Sequence, residues 1–172
     1  MTQKNHKSVV EDFYSYVRIF KNIMTTTIPF KILDIAGEGF HLMIKLHINK
    51  KVANVIVDTG ASKTVFDKTR IEKYVKERKF EKHDSLSSGL GTNTMQSEQV
   101  TVKKIKIGEL EIENYKTILL DLSHVNQSYE QIGLKPVDGV LGSDILLKFN
   151  AVIDYEKKIL KFKFPISRLR SK

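Results

Sequence analysis

The chain has 172 residues with 41% hydrophobic and 28% charged side chains, which fits one domain large enough to bury a core. It has no cysteine, so disulfide frameworks, thiol catalysis and cysteine-ligated zinc or iron–sulfur centres are excluded. The net charge of +9 and pI near 9.6 raise the question of nucleic acid, but the lysines are spread along the chain. Only Lys157, Lys158, Lys161, Lys163, Arg168, Arg170 and Lys172 form a dense group, and no aromatic-interleaved RNA motif or zinc-finger spacing accompanies them. No secretory signal and no run of about 18 apolar residues is present, so the expectation is a cytoplasmic protein that does not span a membrane.

Residues 8–24 carry a helical pattern. Ser8 and Glu11 have capping-box spacing, and Val10, Phe13, Tyr14, Val17, Phe20 and Met24 recur at the period of one helix face. Thr25, Thr26, Thr27 and Pro29 end it. Ile28 to Ile35 is extended, and Gly37-Glu38-Gly39 is a turn. Phe40, Leu42, Ile44, Leu46 and Ile48 then alternate with His41, Met43, Lys45, His47 and Asn49, the period of a strand buried on one face. His41 and His47 share the outward face but stand roughly 20 Å apart on a strand, too far for one metal ion. A hairpin turn at Asn49-Lys50-Lys51 returns the chain as Val52 to Val57, which delivers Asp58 into Thr59-Gly60-Ala61-Ser62.

A short strand is expected at Lys63 to Phe66. Asp67 is placed to cap a helix through Lys76, with Ile71, Tyr74 and Val75 buried. Residues 77–88 are polar and irregular, and Ser87 to Thr94 form a Gly-rich tip. Thr94 stands where a dinucleotide fingerprint needs its third glycine, and no Gly-Lys-Ser/Thr follows as in a phosphate-binding loop. Gln99 to Ile107 and Leu110 to Leu120 pattern as a long β-hairpin turning at Gly108-Glu109. Residues 121–137 read as a polar connector. Val137 to Gly142 is an apolar strand ending on glycine, Ser143 caps a short helix over Ile145 to Phe149, and a last hairpin joins Ala151–Tyr155 to Ile159–Phe164.

Asp-Thr-Gly alone is weak evidence, because Asp and Gly favour turns for local reasons. Its setting is more specific. An apolar run precedes Asp58, small residues follow it, a Gly-rich tip lies about 30 residues on, and Val140-Leu141-Gly142 precedes a short helix near the C-terminus. Together these resemble the retropepsin-like aspartic proteases over roughly residues 28–164. The resemblance implies a mostly β fold: a closed β-barrel of the acid-protease type with a flap hairpin, a few short helices and an N-terminal helical extension. Residues 1–27 would be that extension, residues 28–164 the protease domain and residues 165–172 a basic tail.

The same resemblance implies the roles. Asp58 would be the catalytic aspartate of a peptide-bond hydrolase. Thr59 would lock two active-site turns across a dimer axis, Gly60 would admit the backbone, Ala61 would leave room for substrate and Ser62 would bond the outer carboxylate oxygen. Ser88, Gly89, Leu90, Gly91 and Thr92 would be the flap over a bound peptide, and Val140, Leu141 and Gly142 would pack under the turn. No metal and no cofactor is implied. The partners would be a peptide or protein substrate and a second copy of the chain, since Asp-Thr-Gly occurs once and the chemistry needs two carboxylates. Two other readings stand beside this one: a catalytically silent dimerisation or peptide-binding module of the same fold, and a basic nucleic-acid-binding β domain resting on charge alone. Asp138, Asp144 and Asp154 read as turn, helix-start and strand-end acids, Asp144 suiting the helix dipole. No Gly-x-Ser-x-Gly elbow or His-Glu-x-x-His motif competes.

Overall fold

The computed structural model describes residues 23–76, 81–83 and 97–166. In chain order the elements are β1 (Ile23–Asp34), β2 (Phe40–Ile48), β3 (Lys51–Val57), β4 (Val65–Asp67), β5 (Glu81–His83), β6 (Ser97–Ile107), β7 (Leu110–Leu120), α1 (Ser123–Gln131), β8 (Gly139–Leu141), α2 (Ser143–Lys148), β9 (Val152–Asp154) and β10 (Ile159–Pro165).

The β2–β3 hairpin starts the barrel. Asn49 and Lys50 both have positive φ, at 47° and 74°, the geometry that suits a two-residue turn between right-twisted strands. Asn49 also stitches the hairpin to its surroundings: its side-chain oxygen accepts from Lys104 N at 2.9 Å and its amide donates to Tyr74 O at 3.0 Å. There β6 meets β2, pairing Ile105 with Ile48 and Lys106 with His47. Strands β2, β3, β8, β4, β7 and β6 thereby close a six-stranded barrel.

The barrel contains one insertion that governs the site. β3 and β4 follow each other in sequence but do not pair. β8 lies between them, parallel to β3 (Val55 to Gly139, Val57 to Leu141) and antiparallel to β4 (Val65 to Val140). The turn from Asp58 to Thr64 is therefore the loop that passes around the end of β8.

Inside the barrel, Leu42, Ile44, Leu46, Val55, Val57, Phe66, Ile105, Ile107, Leu110 and Leu141 share one buried cluster. Outside it, the first half of β1 pairs with β10 and the second half with β2, changing partner after Pro29, a residue that has no N–H for a continuing ladder. Ile28, Phe30, Phe149, Leu160, Phe162 and Phe164 join the same core.

Five sequence expectations change. The helix expected over 8–24 does not include Ile23 and Met24, which lie in β1, paired with Pro165 and Phe164; its remaining residues lie outside the described ones. The helix expected from Asp67 to Lys76 is one 3-10 turn at Ile71–Lys73, although Ile71, Tyr74 and Val75 are buried as expected. Asp67 is the last residue of β4 and fully buried, with Oδ1 accepting from Thr69 N and Oγ1 and Oδ2 accepting from Asn126. Tyr74 OH donates to Val52 O at 3.2 Å, which with Asn49 ties the chain to the hairpin before a helix can extend.

The polar connector at 121–137 contains α1. Its Asn126 side chain accepts from Val137 N and donates to Val137 O and Asp67. With Leu122 and Tyr129, this segment covers the outer barrel face at Met43 and Ile56, forming a second core with Val137. Met43, expected to face outward, is consequently buried. Finally, Ser143 is not the N-cap of α2. Gly142 holds that position in extended conformation, and Ser143 is the first helical residue.

Candidate active site

Asp58 sits one residue past the end of β3. Its N–H donates to Leu141 O at 3.1 Å, which carries the β3–β8 pairing one step further. The backbone then turns back on the carboxylate: Gly60 N donates to Asp58 Oδ1 at 2.8 Å and Ala61 N to the same oxygen at 3.3 Å. One oxygen is thus held by main-chain amides, and Oδ2 has no hydrogen bond among the described residues. Asp58, Thr59, Gly60 and Ser62 are exposed in the single chain and Ala61 is half-buried.

The segment around Gly142 holds the turn from behind. Ser143 N donates to Ala61 O at 2.7 Å, and Ser143 Oγ donates to Thr59 O at 2.7 Å. Gly142 packs so closely that a Cβ there would lie 2.5 Å from the Lys63 carbonyl carbon and 2.9 Å from Ala61 O. Val140, Leu141 and Gly142 therefore come together with Asp58–Ser62. Ser62 makes no hydrogen bond to Asp58 among the described residues. Ser88, Gly89, Leu90, Gly91 and Thr92 lie outside the described residues.

A set of residues not singled out in the sequence completes the site. Thr64 is buried where the turn rejoins the barrel. Its Oγ1 accepts from Gly142 N at 2.9 Å and donates to Asp144 Oδ1 at 2.8 Å, and its N–H donates to the same oxygen at 2.9 Å. Asp144 Oδ1 also accepts from its neighbour Ile145 N, while Oδ2 accepts from the Tyr115 hydroxyl. Thr117 Oγ1 donates to Thr64 O at 2.9 Å. Burial, and then the bond to Asp144, pushes the Tyr115 phenol well above its ordinary range, so it stays a donor at neutral pH. Asp144 read as a helix-start acid from sequence. Alternation puts Thr64 on the same face as Phe66, two residues on and buried, which marks its burial but not its partners.

The remaining acids have structural partners. Asp138 is buried, accepting from Asn54 N at 2.8 Å and from Arg70 Nε at 2.7 Å. Asp154 accepts from Lys157 N, and Asp121 from Ser123 N. His41 pairs through Nδ1 with the Tyr129 hydroxyl. Among the described residues no group of three or more His, Cys, Asp or Glu side chains could hold a metal ion, and no helix is long and apolar enough to cross a membrane.

Comparison with known proteins agrees with this geometry. The family model described as aspartyl protease matches residues 44–145, from the middle of β2 to the start of α2. A retropepsin-like aspartic protease from Rickettsia conorii superposes with a TM-score of 0.52 at 21% identity, over 83% of this chain and 92% of that one. The retroviral protease-like domain of Ddi1 from Leishmania major gives 0.47 at 16% identity, covering 73% and 95%. EIAV protease in complex with the inhibitor HBY-793 gives 0.46 at 23%, covering 62% and 85%. No curated protein matches the sequence. With more than half its length matched and Asp58 at the end of the third strand of a closed barrel, the chain belongs to the retropepsin-like aspartyl protease family.

Proposed function

We propose that the protein is an aspartic endopeptidase whose active form is a two-fold homodimer, with Asp58 of each copy at the axis. The observation that carries this reading is the single Asp-Thr-Gly turn: its carboxylate is exposed, oriented by Gly60 and Ala61 on one oxygen and unpaired among the described residues on the other. One carboxylate is half of what the chemistry requires. An isologous contact brings the same patch of two copies together and so places Asp58 against Asp58.

Two carboxylates that close cannot both ionise easily, so the pair holds one proton. The ionised member takes a proton from a bound water as that water attacks the peptide carbonyl carbon. The protonated member donates to the carbonyl oxygen, giving a tetrahedral gem-diol without a covalent link to the protein. Proton transfer to the nitrogen then breaks the C–N bond, releases acid and amine, and restores the shared proton. In each turn Gly60 N–H and Ala61 N–H hold one carboxylate oxygen in place. Thr59, exposed beside Asp58, is positioned to bond across the axis, and residues 88–92 are assigned to cover the peptide. Because the pair must hold one proton for the attack, cleavage is favoured at mildly acidic pH.

The test is a mixing experiment on a peptide library read by mass spectrometry. Asp58→Asn alone should retain the fold and cleave nothing. If that variant is mixed in equal amount with wild type and the subunits exchange freely, wild-type pairs make up about a quarter of dimers, and activity should fall to that fraction instead of to half. A fall to one half would refute the shared site. A wild type that binds peptides and cleaves none at any pH would favour a silent peptide-binding module.

A further inference from the structure

We infer that Asp144 is a positioning residue for the catalytic turn, acting through the Thr64 hydroxyl. The inference rests on the reading of Asp58 as the catalytic carboxylate.

An ionised carboxylate has no hydrogen to give. Asp144 Oδ1 stands 2.8 Å from Thr64 Oγ1 and 2.9 Å from Thr64 N, so both groups must donate to it. The Thr64 hydroxyl hydrogen therefore points at Asp144. That leaves an Oγ1 lone pair for Gly142 N–H at 2.9 Å. The result is a directed chain: Gly142 N–H to Thr64 Oγ1–H to Asp144 Oδ1. Reversing any member would set hydrogen against hydrogen in a buried position. The chain fixes Gly142, and the residues on either side of Gly142 hold the turn: Leu141 O receives Asp58 N–H, and Ser143 donates to Ala61 O and Thr59 O.

Two residues of β7 hold the set from the barrel wall. Tyr115 OH occupies the other Asp144 oxygen, and buried Thr117 donates to Thr64 O. Asp144 is thus bonded to the turn at Thr64 and to β7 at Tyr115 as well as to its own helix at Ile145 N, more than a helix-start charge needs. None of these side chains is proposed to touch substrate. Their effect is on where the Asp58 backbone sits, and in a dimer the same chain operates twice, once behind each carboxylate.

The experiment compares Thr64→Val, which removes the hydroxyl at nearly constant shape, Thr64→Ser, which restores it, Asp144→Ala, which removes both carboxylate acceptors, and the milder Tyr115→Phe. Steady-state cleavage and amide hydrogen exchange are measured on each full-length protein. Thr64→Val and Asp144→Ala should lower kcat by about 10- to 100-fold with KM little changed. They should also speed exchange at Asp58 and Ser143 while sparing Leu160 and Phe162 in β10. Thr64→Ser should recover most of both. Exchange rising equally at all these amides, or not at all, would overturn the inference, as would full kcat in both damaging variants. If a variant fails to fold, the Tyr115→Phe comparison still decides, with a smaller change confined to the same two amides. If wild type itself cleaves nothing, the endopeptidase reading fails while exchange at Asp58 and Ser143 still tests the positioning chain.

Discussion

Replacing Gly142 by alanine isolates how tightly the catalytic turn is held. Gly142 has φ −97° and ψ 179°, extended backbone open to any residue, so the substitution adds no torsional strain. Its effect is steric. The new Cβ would stand 2.5 Å from Lys63 C and 2.6 Å from Lys63 O, and all three nearest atoms are backbone. Reaching the 3.4 Å of ordinary contact requires about 1 Å of main-chain movement. Overpacking of this kind costs about 1–3 kcal/mol. Displacing Gly142 also strains its bond to Thr64, worth about 1 kcal/mol. The sum is a destabilisation of about 2–4 kcal/mol, which at a urea m-value of about 2 kcal/mol/M lowers the unfolding midpoint by about 1–2 M.

Gly37→Ala provides the comparison. Gly37 has φ +81° and no atom within 4 Å of its added Cβ, so only left-handed strain of about 1–2 kcal/mol applies. Both variants are measured by equilibrium urea unfolding and by peptide cleavage. Gly142→Ala should lose more stability than Gly37→Ala, and most of kcat with it. A Gly142→Ala protein within about 0.5 kcal/mol of wild type would refute the packing reasoning.

Three further outcomes are expected. Arg70→Met leaves the Asp138 carboxylate buried without its cation and should cost about 3–5 kcal/mol, with Asp138→Asn in the same chain recovering part of it; a double variant worse than the single would count against this. Met43→Ala should cost about 2–4 kcal/mol and exposed Lys45→Ala less than about 0.5 in urea unfolding, because Met43 lies under α1 while Lys45 faces water. Tyr74, Tyr115 and Tyr129 all have phenols pushed upward, burial being the first cause for each. A raised folded pKa costs nothing while the phenols are protonated in both states, and it disfavours the folded state once the unfolded phenols ionise. Their contribution is therefore intact below pH 10 and is lost as pH rises above it toward the folded values. Phenolate absorbance should show these groups ionising later than in the unfolded chain, and Tyr115→Phe should flatten the alkaline fall in stability.

The strands were legible because one face of each is buried. Leu42, Ile44, Leu46 and Ile48 are buried as the alternation puts them, although Phe40 at the start of the strand is exposed, and the β6–β7 hairpin and its turn fall where the pattern puts them. What periodicity cannot report is a second layer on the outer face. Met43 counted as outward because its neighbours on that face, His41, Lys45 and His47, are polar. It is covered by α1, whose own sequence, SHVNQSYEQ, has too few apolar residues to advertise a helix and is held partly through Asn126. The failed helix after Asp67 has the same origin. An Asp before a polar run reads as a cap, but buried Asp67 spends both oxygens on Thr69 and Asn126. At the site, Asp58 and the residues of its turn stood out by their setting, an apolar strand before them and Val140-Leu141-Gly142 before a short helix later in the chain. Thr64, Tyr115 and Asp144 did not. Their meaning lies in meeting across about 30 to 80 residues of sequence, which no local pattern encodes.

Because β8 is threaded between β3 and β4, the order of synthesis and the order of assembly differ. Val55 pairs with Gly139, and Thr64 bonds Asp144, contacts 84 and 80 residues apart. A ribosome that has released everything through β7 has made Asp58 but not the strand that β3 and β4 both require. Such long-range closures are entropically late events in folding. The nascent chain therefore carries a scattered site until β8 and the segment after it have emerged and docked, and only then does the carboxylate acquire its fixed geometry.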